Sequence, residues 1–230
     1  MSETPSDQQW DSVFHRPQRQ RRSESTLSRD RIVTASVALL DRDGASALTM
    51  RKVAAELGVH ATSLYWYVQR REDLIDLAVD HVLSEAAGNL PGDDVPWDVV
   101  VFRVAKQYYA SFADHPWVAG FAGTRPLIGP NAMALSNRIV TALRESGGVE
   151  KDQMIAATAI SQQVLGAATT AVVLRGLKLG NSAEAADELA AAVGTPETLG
   201  IWIPPFDDVL ELLVDAIRAR LGAASPEKNA

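Results

Sequence analysis

Between Ser28 and Val68 the apolar residues recur at helical spacing in three short runs, each closed by a residue type that ends helices. Ile32, Ala35, Ser36, Leu39 and Leu40 fall at i, i+3, i+4, i+7 and i+8 behind Ser28, a good N-cap, and Gly44 stops the run. Thr49 opens a shorter helix whose Met50, Val53, Ala54 and Leu57 share a face, and Gly58 supplies the positive φ of a tight turn. A third helix starts near His60 or Ala61, with Ala61, Leu64, Tyr65 and Val68 in register before Arg70-Arg71. Glu72 and Asp73 suit the first turn of a fourth, which carries Leu74, Ile75, Leu77, Ala78 and Val82 to about Gly88. The Pro, Gly and Asp content of 89–96 marks a loop. Beyond it the pattern predicts long helices over about 96–113, 129–147, 150–179 and 205–222, with shorter pieces near 116–122 and 183–193. No run alternates with period two, so the predicted fold class is all-α.

One predicted helix carries an unusually long uncharged run. From Gln153 to Leu174 there are 22 consecutive uncharged residues, about 33 Å of helix and long enough to span a bilayer. Its Gln162-Gln163 pair would sit near mid-membrane, and Thr158, Ser161, Thr169 and Thr170 are also polar, so no membrane span is expected. The alternative is a helix buried on most sides, whose small residues (Ala156, Ala157, Ala159, Gly166, Ala167, Ala168 and Ala171) let a core or subunit interface approach closely.

At 230 residues and 47% hydrophobic the chain can bury a sizeable core in one or two domains. The absence of cysteine excludes a disulfide framework, a thiolate metal site and a Cys nucleophile. The first residues show no basic segment followed by an apolar stretch, so a cytoplasmic protein is expected. The net charge of −7 hides an asymmetry: residues 16–71 carry 11 Lys and Arg against five acids, while 72–230 carry 11 against 21. A small basic part on a larger acidic body suits a DNA-facing head. Residues 1–27 read as a mobile extension. Its Arg16, Arg19, Arg21 and Arg22 form either an arm for phosphates or a minor groove, or a solvated tail.

Two short helices joined by a Gly-containing turn, behind a supporting helix, make a helix-turn-helix unit whose second helix can enter a major groove. Leu64 and Val68 form the underside. Thr62, Ser63, Tyr65 and Tyr67 offer hydroxyls, with Arg51 and Lys52 on the preceding helix and Arg70 and Arg71 beyond, and these groups suit phosphates and base edges. Plain packing modules share this plan.

The run Leu48-Thr49-Met50-Arg51-Lys52-Val53-Ala54-Ala55-Glu56-Leu57-Gly58-Val59, then Ser63-Leu64-Tyr65-Trp66-Tyr67-Val68 and Glu72-Asp73-Leu74-Ile75-Asp76, resembles the N-terminal region of the tetracycline-repressor (TetR) family over about 28–85. The resemblance implies that Thr49 and Arg51 contact backbone or base, that Ala61, Thr62, Ser63, Tyr65 and Tyr67 face the groove, and that Arg71 meets a phosphate. Trp66 is expected to wedge against the supporting helices. His115-Pro116-Trp117, Arg125-Pro126, Gly129-Pro130-Asn131 and Leu143-Arg144-Glu145-Ser146-Gly147 are similar to the family's C-terminal regulatory domain. The implied protein is a homodimeric repressor of a palindromic double-stranded operator, released by a small apolar or amphipathic effector. The implied organisation is an extension over 1–27, a head with its connecting helix over 28–88, a ligand-binding and dimerisation body over 89–222, and a tail over 223–230.

Within the body, Phe102, Tyr108, Tyr109, Phe112, Trp117, Phe121, Trp202, Phe206, Met133 and Met154 can line an apolar cavity, though ordinary core packing explains each singly. Arg138, Gln162 and Gln163 fall in otherwise apolar helices, where they can orient a ligand or bond between helices. An enzyme is not expected. No HExxH, P-loop or G-x-S-x-G motif is present, and the four histidines show no ligand spacing, so neither a metal nor a cofactor is expected. The rival readings are an architectural DNA binder, supported only by the arginine-rich arm, and a helical enzyme.

Overall fold

The computed structural model describes residues 12–16, 27–178 and 204–223. Among them every regular element is helical, with ten α-helices and two 3-10 turns. Trp202, the piece near 183–193, Arg19, Arg21, Arg22 and the tail beyond Ala223 lie outside the described residues. The chain divides into two compact units. One runs through His81 and includes Leu127–Pro130; the other takes Val82–Pro126 and the chain from Asn131 on.

In the first unit, α1 (Arg29–Asp43) begins where the Ser28 hydroxyl accepts from the Arg31 N–H, and ends where the Gly44 N–H donates to Leu40. Its buried face carries Ile32, Val33, Leu39 and Leu40, and the buried Ser36 hydroxyl is satisfied by the Ile32 carbonyl at 2.8 Å. A 3-10 turn (Ala45–Ala47) leads to α2 (Met50–Glu56), capped by Thr49, whose hydroxyl accepts from the Lys52 N–H. Gly58, at φ 65°, turns the chain into α3 (Ala61–Leu64). α4 (Arg71–His81) buries Leu74, Ile75, Leu77, Ala78 and Val79, so nearly its whole circumference is enclosed. Segment 127–130 lies so close to α4 that a Cβ on Gly129 would fall 2.2 Å from an Asp80 carboxylate oxygen. Only glycine fits there.

The predicted continuation of the fourth helix to Gly88 is broken. α4 stops at His81, and a separate α5 (Ser84–Gly88) follows a turn through Val82 and Leu83. Leu83 keeps right-handed helical dihedrals (φ −88°, ψ −5°) and is fully buried. The apolar spacing therefore passes through the break without a sign of it. Of the extension expected over 1–27, the described residues 12–16 are packed on the head: Ser12 and Val13 are buried, and Arg16 is paired with Asp73.

The second unit contains α6 (Trp97–Asp114), a 3-10 turn (Pro116–Val118), α7 (Ala119–Ala122), α8 (Pro130–Glu145), α9 (Glu150–Lys178) and α10 (Phe206–Ala223). Val100, Val104, Phe112, Leu135, Leu143, Ile160 and Leu210 are its enclosed core. Arg218 bonds Asp98 at 2.6 Å, Arg220 bonds Asp152 at 2.7 Å and Lys106 pairs with Asp207, which ties α10 to α6 and α9. The cationic partners of these pairs are exposed, so the pairs orient the helices more than they stabilise them. α9 buries one stripe, Gln153, Ala156, Ala157, Ile160, Val164 and Ala168, and leaves Met154 and Ile155 exposed. The expectation of a helix buried on most sides therefore fails within a single chain. By length and composition alone Glu150–Val172 could cross a membrane.

Arg138, expected among ligand-orienting groups, instead holds the loop before α6. Its buried guanidinium donates to the carbonyls of Pro91 at 3.0 Å and Gly92 at 2.8 Å, and lies 3.9 Å from both Asp93 and Glu145. Arg138→Met strands two carbonyls and should lower the unfolding free energy by about 1–3 kcal/mol. Urea unfolding measures this, and an unchanged midpoint would contradict the assignment.

Candidate nucleic-acid interface

α3 has four residues, too few to hold a helix by backbone hydrogen bonds alone. Leu64 and Val68 anchor it from beneath, both fully buried. The polar side chains then point away from the core. Thr62, Thr49, Arg51 and Lys52 are exposed, Tyr65 is 51% exposed, and Ala61 and Ser63 are half-buried beside them. Hydroxyls, a phenol, a guanidinium and an ammonium on one small surface can donate to phosphate oxygens and reach base edges. Among the described residues no group of His, Asp and Glu could hold a metal ion.

Three residues behave differently from the sequence expectation. Arg71, expected at a phosphate, donates through Nε to the Leu48 carbonyl and through Nη2 to the Ala45 carbonyl, both at 2.8 Å. It thereby fastens the start of α4 to the turn before α2. The Tyr67 hydroxyl, expected in the groove, donates to the Leu27 carbonyl at 2.7 Å. Trp66, expected to wedge into the head, is 55% exposed beside Tyr65. After Leu64 the chain continues as turns rather than helix, so the helical phase that would carry Trp66 inward is lost.

Sequence reasoning also missed the node at the start of α4. Asp73 is 1% exposed, and its Oδ2 accepts from the backbone N–H of Gln69 at 3.0 Å and of Arg70 at 3.1 Å. A carboxylate in the first turn that reaches back to the preceding amides is the logic of a capping box, which gave a readable signal. The Arg16 guanidinium completes the node with bonds of 2.8 and 2.7 Å to the two oxygens. Burial pushes the Asp73 carboxyl up, but the Arg16 bonds and the two amides outweigh it and hold the group below the usual carboxylate range.

In the second unit the predicted effector residues divide. Phe112 is fully buried, edge-on to Tyr108 at 5.1 Å, and Trp117 lies edge-on to Phe121 at 6.4 Å. Tyr109 stacks on Phe206 at 4.0 Å, which fixes α10 on α6. Phe102 lines an open groove of about 480 Å³ with Val99, Val214 and charged neighbours of α6 and α10. Met133 is exposed on α8, and Gln162 lies with Met154 and Ile155 along the outer face of α9. Met133 and Gln162 are thus exposed rather than buried with the aromatic rings, Gln162 because the stripe of α9 that turns inward is the one through Ala156 and Ile160.

Residues 32–78 match the family "Bacterial regulatory proteins, tetR family", and residues 90–198 match "Tetracyclin repressor-like, C-terminal domain". An HTH-type transcriptional regulator of Saccharopolyspora erythraea is 39% identical over 221 residues, covering 92% of this chain and 93% of the relative. The HTH-type transcriptional repressor DrrR1 of Streptomyces coeruleorubidus is 35% identical over 143 residues, covering 62% of this chain and 53% of that protein. Among solved structures, the Streptomyces coelicolor TetR family protein ActR in complex with (S)-DNPA superposes with a TM-score of 0.64 at 28% identity, covering 87% of this chain and all of that one.

The geometry separates two kinds of substitution on the head. Tyr65→Ala removes an exposed ring and should weaken DNA binding roughly tenfold or more, as loss of one good base or sugar contact does, with the melting temperature unchanged. Arg71→Ala strands two carbonyls and should lower stability by about 1–3 kcal/mol. Calorimetry and DNA titration on both variants check this. A destabilised Tyr65→Ala with a fully stable Arg71→Ala would reverse the assignment.

Proposed function

The chain belongs to the tetR family of bacterial regulatory proteins, non-enzymatic helix-turn-helix regulators of transcription, and on that premise we propose that it is a repressor that binds a palindromic operator as a homodimer and leaves it when a small apolar or amphipathic molecule enters the second unit. The observation that carries the DNA side is the exposed polar surface of Thr49, Arg51, Thr62 and Tyr65 above the buried Leu64 and Val68. A DNA partner supports a cytoplasmic location.

The dimer reading rests on apolar surface that one chain leaves uncovered. Leu212 of α10 is 71% exposed, and Val149, Met154 and Ile155 at the start of α9 are each close to half exposed. Of the last helix, Ile217 and Leu221 are already buried within the chain, so the free face passes through Leu212 and Ala216. Two copies that pair α9 and α10 would bury such faces in a four-helix interface.

The effector reading rests on the aromatic rings of α6, of the 3-10 turn after it and of α7, and on ActR, whose structure holds (S)-DNPA. A ligand acts only through unequal affinity for two states, and a hundredfold loss of operator affinity requires about 2.7 kcal/mol of coupling.

Selection from random DNA tests the operator. The expected product is an inverted repeat whose half-sites lie about 34–36 Å apart or slightly more. Molecules that raise the melting temperature of the full chain should also release that duplex. Enrichment of unrelated sequences would favour an architectural binder, and stabilising molecules that never affect release would remove the effector reading.

Light scattering tests assembly. The expected mass is twice the 24.8 kDa of the chain, and Leu212→Asp with Ile155→Asp should halve it. A single-chain mass for the wild type at micromolar concentration would refute the dimer.

A further inference from the structure

Upstream of the stretch that matches the family over residues 32–78, Ser12–Arg16 is packed onto the head. Val13 is 4% exposed, and its carbonyl accepts from Arg29 Nη2 at 3.1 Å. Arg16 then reaches Asp73 with two bonds of 2.8 and 2.7 Å, and its Nη1 lies 3.5 Å from the Gln69 side-chain oxygen. A planar guanidinium set against a carboxylate in this paired way fixes orientation as well as distance.

What this contact holds is the part of the head least able to hold itself. Between α3 and α4 the chain runs through turns over 65–70, carrying the exposed Tyr65, Trp66, Gln69 and Arg70. Three ties set its course. Leu64 accepts from the Tyr67 and Val68 amides, the Tyr67 hydroxyl is fastened to Leu27, and Asp73 receives the amides of Gln69 and Arg70. Two of these ties lead to residues that precede α1. Two cations face the buried Asp73: Arg70 of the turn itself, whose Nη2 lies 3.6 Å from Oδ1, and Arg16, which bonds both oxygens at hydrogen-bond distance from outside the turn, so losing Arg16 weakens the charge support of a buried acceptor.

We propose that Arg16 is a positioning residue for DNA binding: through Asp73 it holds the 65–70 turn, and with it Tyr65, in the arrangement that meets DNA. This rests on the DNA-binding reading of the head. It gives the first arginine of the basic extension an internal role in place of a phosphate contact. A direct contact and a positioning role differ in what they do to salt dependence, since each phosphate neutralised contributes about 0.9 to the slope of log K against log salt.

The test uses the full chain and the duplex it enriches from random DNA, with a scrambled duplex of equal composition as control. Arg16→Met should weaken the enriched duplex about tenfold, leave the salt slope unchanged, and speed hydrogen exchange at the Gln69 and Arg70 amides while α1 stays protected. Asp73→Asn should do the same, and the double variant should bind no more weakly than the weaker single variant, because one pathway is broken twice. Unchanged affinity in Arg16→Met, a slope reduced by one phosphate, or losses that multiply would each overturn the proposal. If Arg16→Met also exposes α1, Arg16→Lys decides: it keeps the charge without the paired geometry, so a smaller affinity loss with the same local exchange supports positioning, and wild-type behaviour overturns it. A wild-type chain that enriches no duplex removes the DNA-binding reading and this inference with it, whereas the exchange at Gln69 and Arg70 reads the clasp without DNA.

Discussion

A recognition helix of four residues cannot keep its own shape in water, and much of the first unit's architecture answers that constraint. Nucleating a helix orders several residues for each early hydrogen bond, so so short a segment must be held by what surrounds it. Leu64 and Val68 fix it from below through burial. Arg71 ties the start of α4 to the carbonyls before α2, and Asp73 gathers the amides of Gln69 and Arg70. The Asp73 carboxyl is lowered in the folded state. Its contribution to stability is present above the unfolded-state value, about pH 4, and is lost as pH falls through the lower folded value. The node is therefore ionised and intact at neutral pH.

The second unit meets a different constraint. α9 turns a stripe of alanines with Ile160 and Val164 toward its neighbours, and small side chains there allow close approach. Its other face combines Met154 and Ile155 with Thr158, Ser161 and Gln162, a surface too apolar for an ideal solvent face and too polar for lipid. A protein interface tolerates that mixture, because rim hydroxyls and amides keep access to water while the apolar residues do not. The exposed ion pairs Arg218–Asp98 and Arg220–Asp152 set the orientation of α10 more than they add stability.

What could be read from the sequence follows from how local each cause is. Ser28 and Thr49 as caps, Gly58 at positive φ and the loop at 89–96 depend on neighbours within four residues, and each stands where the pattern placed it. The break at Val82–Leu83 was invisible because a turn with helical dihedrals preserves the apolar phase. Trp66 departs from its expected place, and Tyr67, Arg71 and Arg138 have internal partners that the pattern did not show, for a common reason. Their environments are set by partners 23 to 47 positions away, or by a change from helix to turn, and periodicity carries no information about either. Of the aromatic rings singled out in the sequence, Tyr108, Phe112 and Trp117 are buried, whereas Phe102, Tyr109 and Phe121 are half-buried. Which of the polar residues would join them was not legible, since that depends on which stripe of α9 faces inward.

The same long-range contacts change the meaning of the head's basic balance. Of the 11 Lys and Arg between residues 16 and 71, Arg16 is neutralised by a buried carboxylate, Arg42 faces Asp43 and Glu56, and Arg71 is committed to carbonyl oxygens. Arg71 keeps its full charge, because a carbonyl is neutral. It therefore still contributes to the field that draws a polyanion toward the head, while its Nε and one Nη2 hydrogen are engaged by the protein. Charge felt at a distance governs the rate of encounter, and donors free at contact range govern register. On this head the two are separated: the net positive balance extends over the whole of 16–71, whereas the exposed groups above Leu64 and Val68 are few and mostly hydroxyl. Thr62, Tyr65 and Arg51 are exposed there, so in the proposed reading they discriminate between sequences, and a substitution that tilts the 65–70 turn moves Tyr65 whether or not it also alters the formal charge.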